Sequence, residues 1–319
     1  MRAAFLDFNT IGPEDIDISP LTTQLPDLRL FPETNPERVA ERISNAEIVI
    51  VNKVRLDEKV LTGAGSLKLI CLAATGTDNI ALARAKTLGI AVCNIQDYCT
   101  PSVVQHVFAL MLALTNHLRE YDQLLREKKW STSAQFCLLD FPTRELRGKT
   151  LGIVGLGSLG NGVAEAARAF GMRVIAVRRT SGPNKPDIEQ VSLAELLEQS
   201  DIVSLHCPLN AETENMIDAN ALRRMRDDAL LINTARGGLV DAQALVEALQ
   251  NGEIAGAGID VLRQEPPVDP DPLFDTPLPN LILTPHVAWA ARESRQRAVD
   301  EIAANIACFI KGEERSRVV

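Results

Sequence analysis

The glycine-rich run Gly155-Leu156-Gly157-Ser158-Leu159-Gly160 falls near the middle of the chain, and that position constrains the fold more than any other feature. Residues 150–154 ahead of it are apolar and read as a strand, and residues 161–170 after it read as a helix. A bare G-x-G-x-x-G is a weak signal. On a strand-to-helix turn it gains a mechanism, because the backbone can approach a pyrophosphate closely and the helix N-terminus favours negative charge. A dinucleotide-binding sheet is therefore expected from about residue 150, with a separate structure ahead of it.

A length of 319 residues suits two domains, and 46% hydrophobic with 24% charged residues suits large cores. The formal net charge of −9 argues against nucleic acid or an anionic membrane as partner. The cysteines at 71, 93, 99, 137, 207 and 308 form no C-x-x-C pair and no metal-like spacing, so free thiols, no metal and a reducing, cytoplasmic setting are expected. Residues 1–8 show no cleavable leader pattern, and no apolar stretch reaches transmembrane length.

Apolar runs at residues 3–6, 46–51, 67–74 and 90–93 alternate with helical patterns at 36–43 and 80–88, which predicts a small parallel α/β domain. Residues 103–118 are apolar on nearly every side and are expected to be buried between domains or subunits. Residues 126–147 read as an irregular apolar arm for a partner subunit or for the chain itself. Six strands follow, at 150–154, 173–177, 202–205, 229–233, 256–260 and 281–284, and then a helix at 292–310. The predicted fold is α/β, with two Rossmann-like doubly wound parallel-sheet domains. One domain spans residues 100–286. The other is discontinuous, made of residues 1–99 and 287–319.

Three residues reach the carboxyl ends of strands, where open α/β sheets place ligands: Arg236, Glu265 and His286. A base, a carboxylate to orient it and a guanidinium to hold an anion suit reduction of a 2-keto acid. After the second strand of the central sheet, where a carboxylate would meet the ribose of NAD, stand Arg178, Arg179 and Thr180. Two guanidiniums and a hydroxyl suit a 2′-phosphate, so NADP is expected in preference to NAD.

The chain resembles the D-isomer-specific 2-hydroxyacid dehydrogenases, and their glycerate dehydrogenase/hydroxypyruvate reductase branch in particular. The likeness runs from Asn52-Lys53 through Ala73-Ala74-Thr75-Gly76-Thr77-Asp78-Asn79, residues 102–112, the fingerprint, Val203-Ser204-Leu205-His206-Cys207-Pro208-Leu209 and residues 231–240. It ends on Pro285-His286-Val287-Ala288-Trp289-Ala290. The branch rests on Trp289 and on residues 135–142.

The resemblance implies that His286 protonates the carbonyl oxygen, that Glu265 orients the imidazole and stabilises its charged form, and that Arg236 binds the substrate carboxylate with the N–H groups of Thr75 and Gly76. Domain closure would complete the site. It further implies cofactor contacts at Gly155, Gly157, Ser158, Leu159, Gly160, Cys207, Pro208, Thr213, Thr234, Ala235, Arg236, Asp260 and His286, with Asp260 on the nicotinamide carboxamide. Hydroxypyruvate or glyoxylate would be reduced to D-glycerate or glycolate, by a homodimer. Lys53 reads as a substrate contact or an exposed loop lysine, and His106 and His117 as satisfied core or interface histidines. Two rivals are phosphoglycerate dehydrogenase, whose long forms carry a further C-terminal domain, and a nucleotide-sensing corepressor of the same fold. Formate dehydrogenase relatives, with glutamine in place of Glu265, fit less well.

Overall fold

The computed structural model describes residues 1–177, 188–267 and 270–319, which form two compact units, Met1–Cys99 with Trp289–Val319 and Thr100–Ala288. The first unit holds a five-stranded sheet of β1 (Ala3–Phe5), β2 (Leu28–Leu30), β3 (Ile48–Val51), β4 (Leu69–Leu72) and β5 (Ala91–Cys93), in the order β2-β1-β3-β4-β5. Every pairing is parallel. Strands β3 and β4 are buried along their whole length, which is why their sequences are unbroken apolar runs and not alternating ones. Strand β2 escapes the sequence pattern because Leu28-Arg29-Leu30 is a three-residue edge strand, half-buried at most.

The last helix, Arg292–Lys311, belongs to this first unit. Arg295 forms a bidentate pair with Asp15 at 2.6 and 2.9 Å, and buried Asn305 donates to the carbonyl of Asn94 at 2.9 Å. The tail then runs antiparallel beside β5, where Val318 N–H donates to Val92 O at 2.7 Å.

The second unit holds seven strands: β6 (Thr150–Val154), β7 (Arg173–Val177), β8 (Glu189–Gln190), β9 (Ile202–Leu205), β10 (Leu230–Asn233), β11 (Gly256–Ile259) and β12 (Leu281–Leu283). Their order is β12-β11-β10-β9-β6-β7-β8, again parallel throughout. Six strands were expected; the seventh, β8, is two exposed residues that carry no apolar signal. Strand order reverses between β9 and β6, and the fingerprint leaves the carboxyl end of β6 at that switch point.

The apolar stretch after residue 99 is the helix Thr100–Thr115, which lies on this second sheet. Leu114 Cδ2 is 3.4 Å from the place a Cβ on Gly256 would take, and Leu110 Cβ is 3.0 Å from the corresponding place on Gly258. Four helical residues advance about 6 Å and two strand residues about 6.6 Å, so the i, i+4 row of this helix keeps step with alternate residues of β11. Glycines on β11 supply the room. Ala109, on the far side, is exposed, so the burial expected on every side is not complete within this unit.

The arm at residues 126–147 begins on the last residue of the helix Leu118–Arg126, forms no strand, and past that helix its one helical piece is the 3-10 turn Trp130–Thr132. Phe136 and Leu139 there are 88% and 85% exposed in this single chain.

The packing of helix on strand gives a direct test. Gly258→Val should lower unfolding free energy by about 1–3 kcal/mol in urea denaturation, because the new side chain overlaps Leu110. Leu110→Ala in the same chain should recover part of that loss, and strictly additive losses would contradict the contact.

Candidate functional site

The three fingerprint glycines are required for three different reasons. Gly155 has φ +105°, and a Cβ there would lie 2.8 Å from the backbone nitrogen of Cys207. A Cβ on Gly160 would lie 2.0 Å from Gly155 O, so the helix could not close on the loop. A Cβ on Gly157 would meet nothing within 4 Å among the described residues. Gly157 stands as N-cap of the helix Ser158–Ala169 and brings no side chain to cap it, so the first-turn N–H groups of Ser158, Leu159 and Gly160 suit the close approach of a phosphate. Asn161 steadies the loop from inside, donating from Nδ2 to Leu156 O at 3.0 Å and Gly157 O at 2.8 Å. Arg178, Arg179 and Thr180 lie outside the described residues.

Beyond β9, Thr213 closes the turn that starts at Pro208: its hydroxyl donates to Pro208 O at 2.8 Å and accepts from Asn210 N at 2.9 Å. The Cys207 sulfur rests 3.7 Å from that of Met216, and burial pushes its thiol pKa up, which suits packing and not nucleophilic attack. Burial likewise holds the neighbouring His206 imidazole down at about 4. Beyond β10, the Asn233 side chain fixes the next three residues, accepting from Ala235 N at 3.0 Å and donating to Arg236 O at 2.9 Å. The Thr234 hydroxyl is buried and has no hydrogen-bond partner among the described residues, which a polar ligand group would satisfy. The Arg236 guanidinium bonds Ala235 O at 2.7 Å.

Asp260 follows β11 and is 1% exposed. Its carboxylate accepts from the Thr284 hydroxyl at 2.5 Å and from the N–H groups of Val287 and Ala288 at 2.9 Å each. It therefore shapes the turn after β12 whatever else it touches. His286 sits on that turn at φ +55°, a left-handed backbone that a β-substituted residue adopts only under constraint, and its N–H donates to Asp260 O at 2.8 Å. His286 Nδ1 is 2.5 Å from Glu265 Oε2, while Glu265 Oε1 accepts from Leu262 N at 2.9 Å. The two residues expected to act together are thus brought together, and both carboxylate oxygens of Glu265 are engaged.

Thr75 and Gly76 lie in the first unit, on the loop after β4. Asn94 Nδ2 donates to Thr75 O at 2.7 Å, and the Thr75 hydroxyl donates to Ile95 O at 2.9 Å. Lys53 is exposed, and its backbone N–H is held by Asp7 at 2.6 Å. His117 stacks on Phe141 with ring centroids 5.5 Å apart. His106 contacts Thr284 and Asp260, which reading the sequence had not found. Among the described residues no His, Cys, Asp and Glu cluster suits a metal, and no helix is long and apolar enough to cross a membrane.

A dinucleotide cradle at the switch point and a carboxylate-bound imidazole at the same sheet edge define an NAD(P)-dependent oxidoreductase. Residues 108–288 match the NAD-binding domain of the D-isomer-specific 2-hydroxyacid dehydrogenases. A glycerate dehydrogenase of Methylorubrum extorquens is 46% identical over 283 residues, covering 89% of this chain and 88% of its own. A hydroxypyruvate reductase of Blautia hydrogenotrophica is 36% identical over 317 residues, 98% of each chain. An acyclic imino acid reductase in complex with NADPH and D-Arg has a TM-score of 0.90 at 32% identity, covering 100% of both chains. A D-lactate dehydrogenase of Aquifex aeolicus complexed with NAD and lactic acid has 0.86 at 31%, covering 98% of this chain and 96% of its own. The chain belongs to the D-isomer-specific 2-hydroxyacid dehydrogenase family.

The cradle predicts a separation of effects. Gly157→Val should leave unfolding free energy within about 1 kcal/mol of the parent, since a Cβ there meets no atom of the described residues within 4 Å. NADPH affinity, read by fluorescence titration, should weaken more than about tenfold as the room for the pyrophosphate is filled. Unchanged affinity would place the dinucleotide elsewhere.

Proposed function

We propose that the protein reduces hydroxypyruvate and glyoxylate to D-glycerate and glycolate, and oxidises the hydroxy acids in reverse. The observation that carries this reading is the 2.5 Å contact between His286 Nδ1 and Glu265, which assigns proton exchange with the substrate to the other ring nitrogen. A bound reduced nicotinamide would supply the hydride to the carbonyl carbon. His286 Nε2 gives a proton to the carbonyl oxygen, so hydride and proton together convert the ketone to the alcohol. Glu265 orients the ring and balances its charge. Arg236 holds the substrate carboxylate and draws electron density from the adjacent carbonyl. Thr75 and Gly76 are assigned to the same carboxylate on the family resemblance alone. The first-turn N–H groups after Gly157 take the pyrophosphate, while Cys207, Pro208 and Thr213 line the adenosine side. Thr234 and Ala235 line the nicotinamide side, and Asp260 is assigned the carboxamide on the same resemblance.

NADPH is the proposed preferred reductant, because Arg178, Arg179 and Thr180 follow β7 where an acidic residue would select NAD. The relative in complex with NADPH is compatible with that choice. We further assign a homodimer, in which the exposed Phe136 and Leu139 would be covered, and a cytoplasmic setting in keeping with six unpaired cysteines.

Initial rates with hydroxypyruvate and glyoxylate, each with NADPH and NADH, test the substrate and cofactor together. Turnover should be fastest with hydroxypyruvate and NADPH, and no oxidation of either cofactor would overturn the substrate class. Arg178→Asp should reduce kcat/KM for NADPH by about tenfold or more and spare NADH, on the loss of a charge-assisted phosphate contact. Equal efficiency with NADPH before and after would refute the role of Arg178. Glu265→Gln should lower kcat by about 10²- to 10⁴-fold, the usual worth of general acid–base catalysis, with the melting temperature unchanged.

A further inference from the structure

The i, i+4 row that places Leu114 against Gly256 and Leu110 against Gly258 continues toward the start of the helix. By the same step, the next residue of the row, His106, falls level with Asp260, and the one after, Ser102, falls beyond it. Both positions are occupied by hydrogen bonds. His106 Nε2 lies 2.9 Å from the Thr284 hydroxyl oxygen and 3.5 Å from Asp260 Oδ1, and the Ser102 hydroxyl donates to Ala288 O at 2.7 Å. Thr284 and Ala288 are the two ends of the turn that carries His286. One edge of a helix, two residues four apart, therefore grips both ends of that turn.

The direction of the bonds follows from chemistry. The Thr284 hydroxyl donates to Asp260 Oδ1 at 2.5 Å, and its single proton is spent there. The Thr284 oxygen can then meet His106 only as an acceptor, and His106 must carry its proton on Nε2.

We propose that His106 and Thr284 are positioning residues for His286. The His106 Nε2–H fixes the Thr284 hydroxyl on Asp260, and Asp260 in turn holds the N–H groups of Val287 and Ala288, which keeps His286 at its left-handed backbone angle and its ring on Glu265. The proposal rests on the reading of His286 as the proton donor, so its test includes a readout that does not pass through catalysis.

The variants are Thr284→Val, which keeps shape and removes the hydroxyl, Thr284→Ser, which keeps the hydroxyl, and His106→Phe. Thr284→Val should lower kcat for hydroxypyruvate reduction about 10- to 100-fold, as a small misplacement of a reacting group does, with both KM values within about threefold. Thr284→Ser should restore kcat to within about threefold of the parent, and His106→Phe should follow Thr284→Val. With four histidines in the chain, ¹⁵N-edited imidazole spectra resolve each ring. His106 should show its proton on Nε2, and Thr284→Val should shift the His286 ring signals while His117 stays in place. A His106 ring protonated on Nδ1 alone, an unmoved His286 signal in Thr284→Val, or equal losses in the Val and Ser variants would each overturn the proposal. If the parent enzyme reduces no 2-keto acid, the proposed substrate fails, and the spectra still decide whether Thr284 is coupled to His286.

Discussion

The carboxylate of Asp260 is the group on which the geometry of the second unit's active edge depends. A carboxylate taken out of water costs several kcal/mol unless its lone pairs are occupied. Here they are occupied by one hydroxyl and two backbone N–H groups, all from the five residues after β12. Hydrogen bonds to a charged group contribute about 1.5–3 kcal/mol each, whereas a non-glycine residue in a sparsely populated backbone region costs about 1–3 kcal/mol. The balance lets His286 keep φ +55°. The ring is thus held from two sides, by its own backbone and by Glu265.

The first sheet uses the same device at its own carboxyl edge. Asp7, just past β1 and 3% exposed, accepts from the backbone N–H groups of Asn52, Lys53 and Val54, the loop after β3. Asn79 donates to Asn52 O at 3.3 Å and to Val54 O at 2.9 Å, which ties that loop to the one after β4. Asn94, past β5, braces Thr75, and Asn305 from the last helix braces Asn94. In both units a short buried polar side chain beyond a strand end replaces the hydrogen bonds that the sheet no longer supplies. The loops past the strand ends are thereby tied to one another and to the sheet.

Legibility in the sequence follows how local each interaction is. The fingerprint and the buried strands were readable because an apolar run, a glycine and a helix start are neighbours along the chain. The helix after the fingerprint begins at Ser158, ahead of the expected Asn161, because Gly160 and Asn161, poor helix formers, sit in its first turn, where Gly160 is required by contact with Gly155. Arg236, Glu265 and His286 were readable as strand-end residues, but the Glu265–His286 bond joins positions 21 apart and no periodicity announces it. His106 was read as a satisfied core or interface histidine. Its hydrogen-bond partner lies 178 positions along the chain, and only the register of the helix on β11 brings the two together. Strands β2 and β8 were missed because so few residues, half-buried or exposed, leave no pattern.

That register also ties the turn bearing His286 to the places where the chain changes units. The helix bearing Ser102 and His106 starts at Thr100, the first residue of the second unit, and the turn ends at Ala288, its last. The Ser102–Ala288 hydrogen bond therefore joins the incoming and outgoing strands of the chain on the second unit's side. On the first unit's side, Tyr98 and Trp289 meet edge to face at 6.4 Å, and Arg297 holds Tyr98 O at 2.7 Å. The chain enters and leaves the dinucleotide-binding unit at one place, and His286 stands two residues from it. Ser102 thus links the start of the unit to Ala288, whose N–H is held in turn by Asp260. The orientation of the His286 ring is in this sense a property of the crossover as much as of the sheet edge.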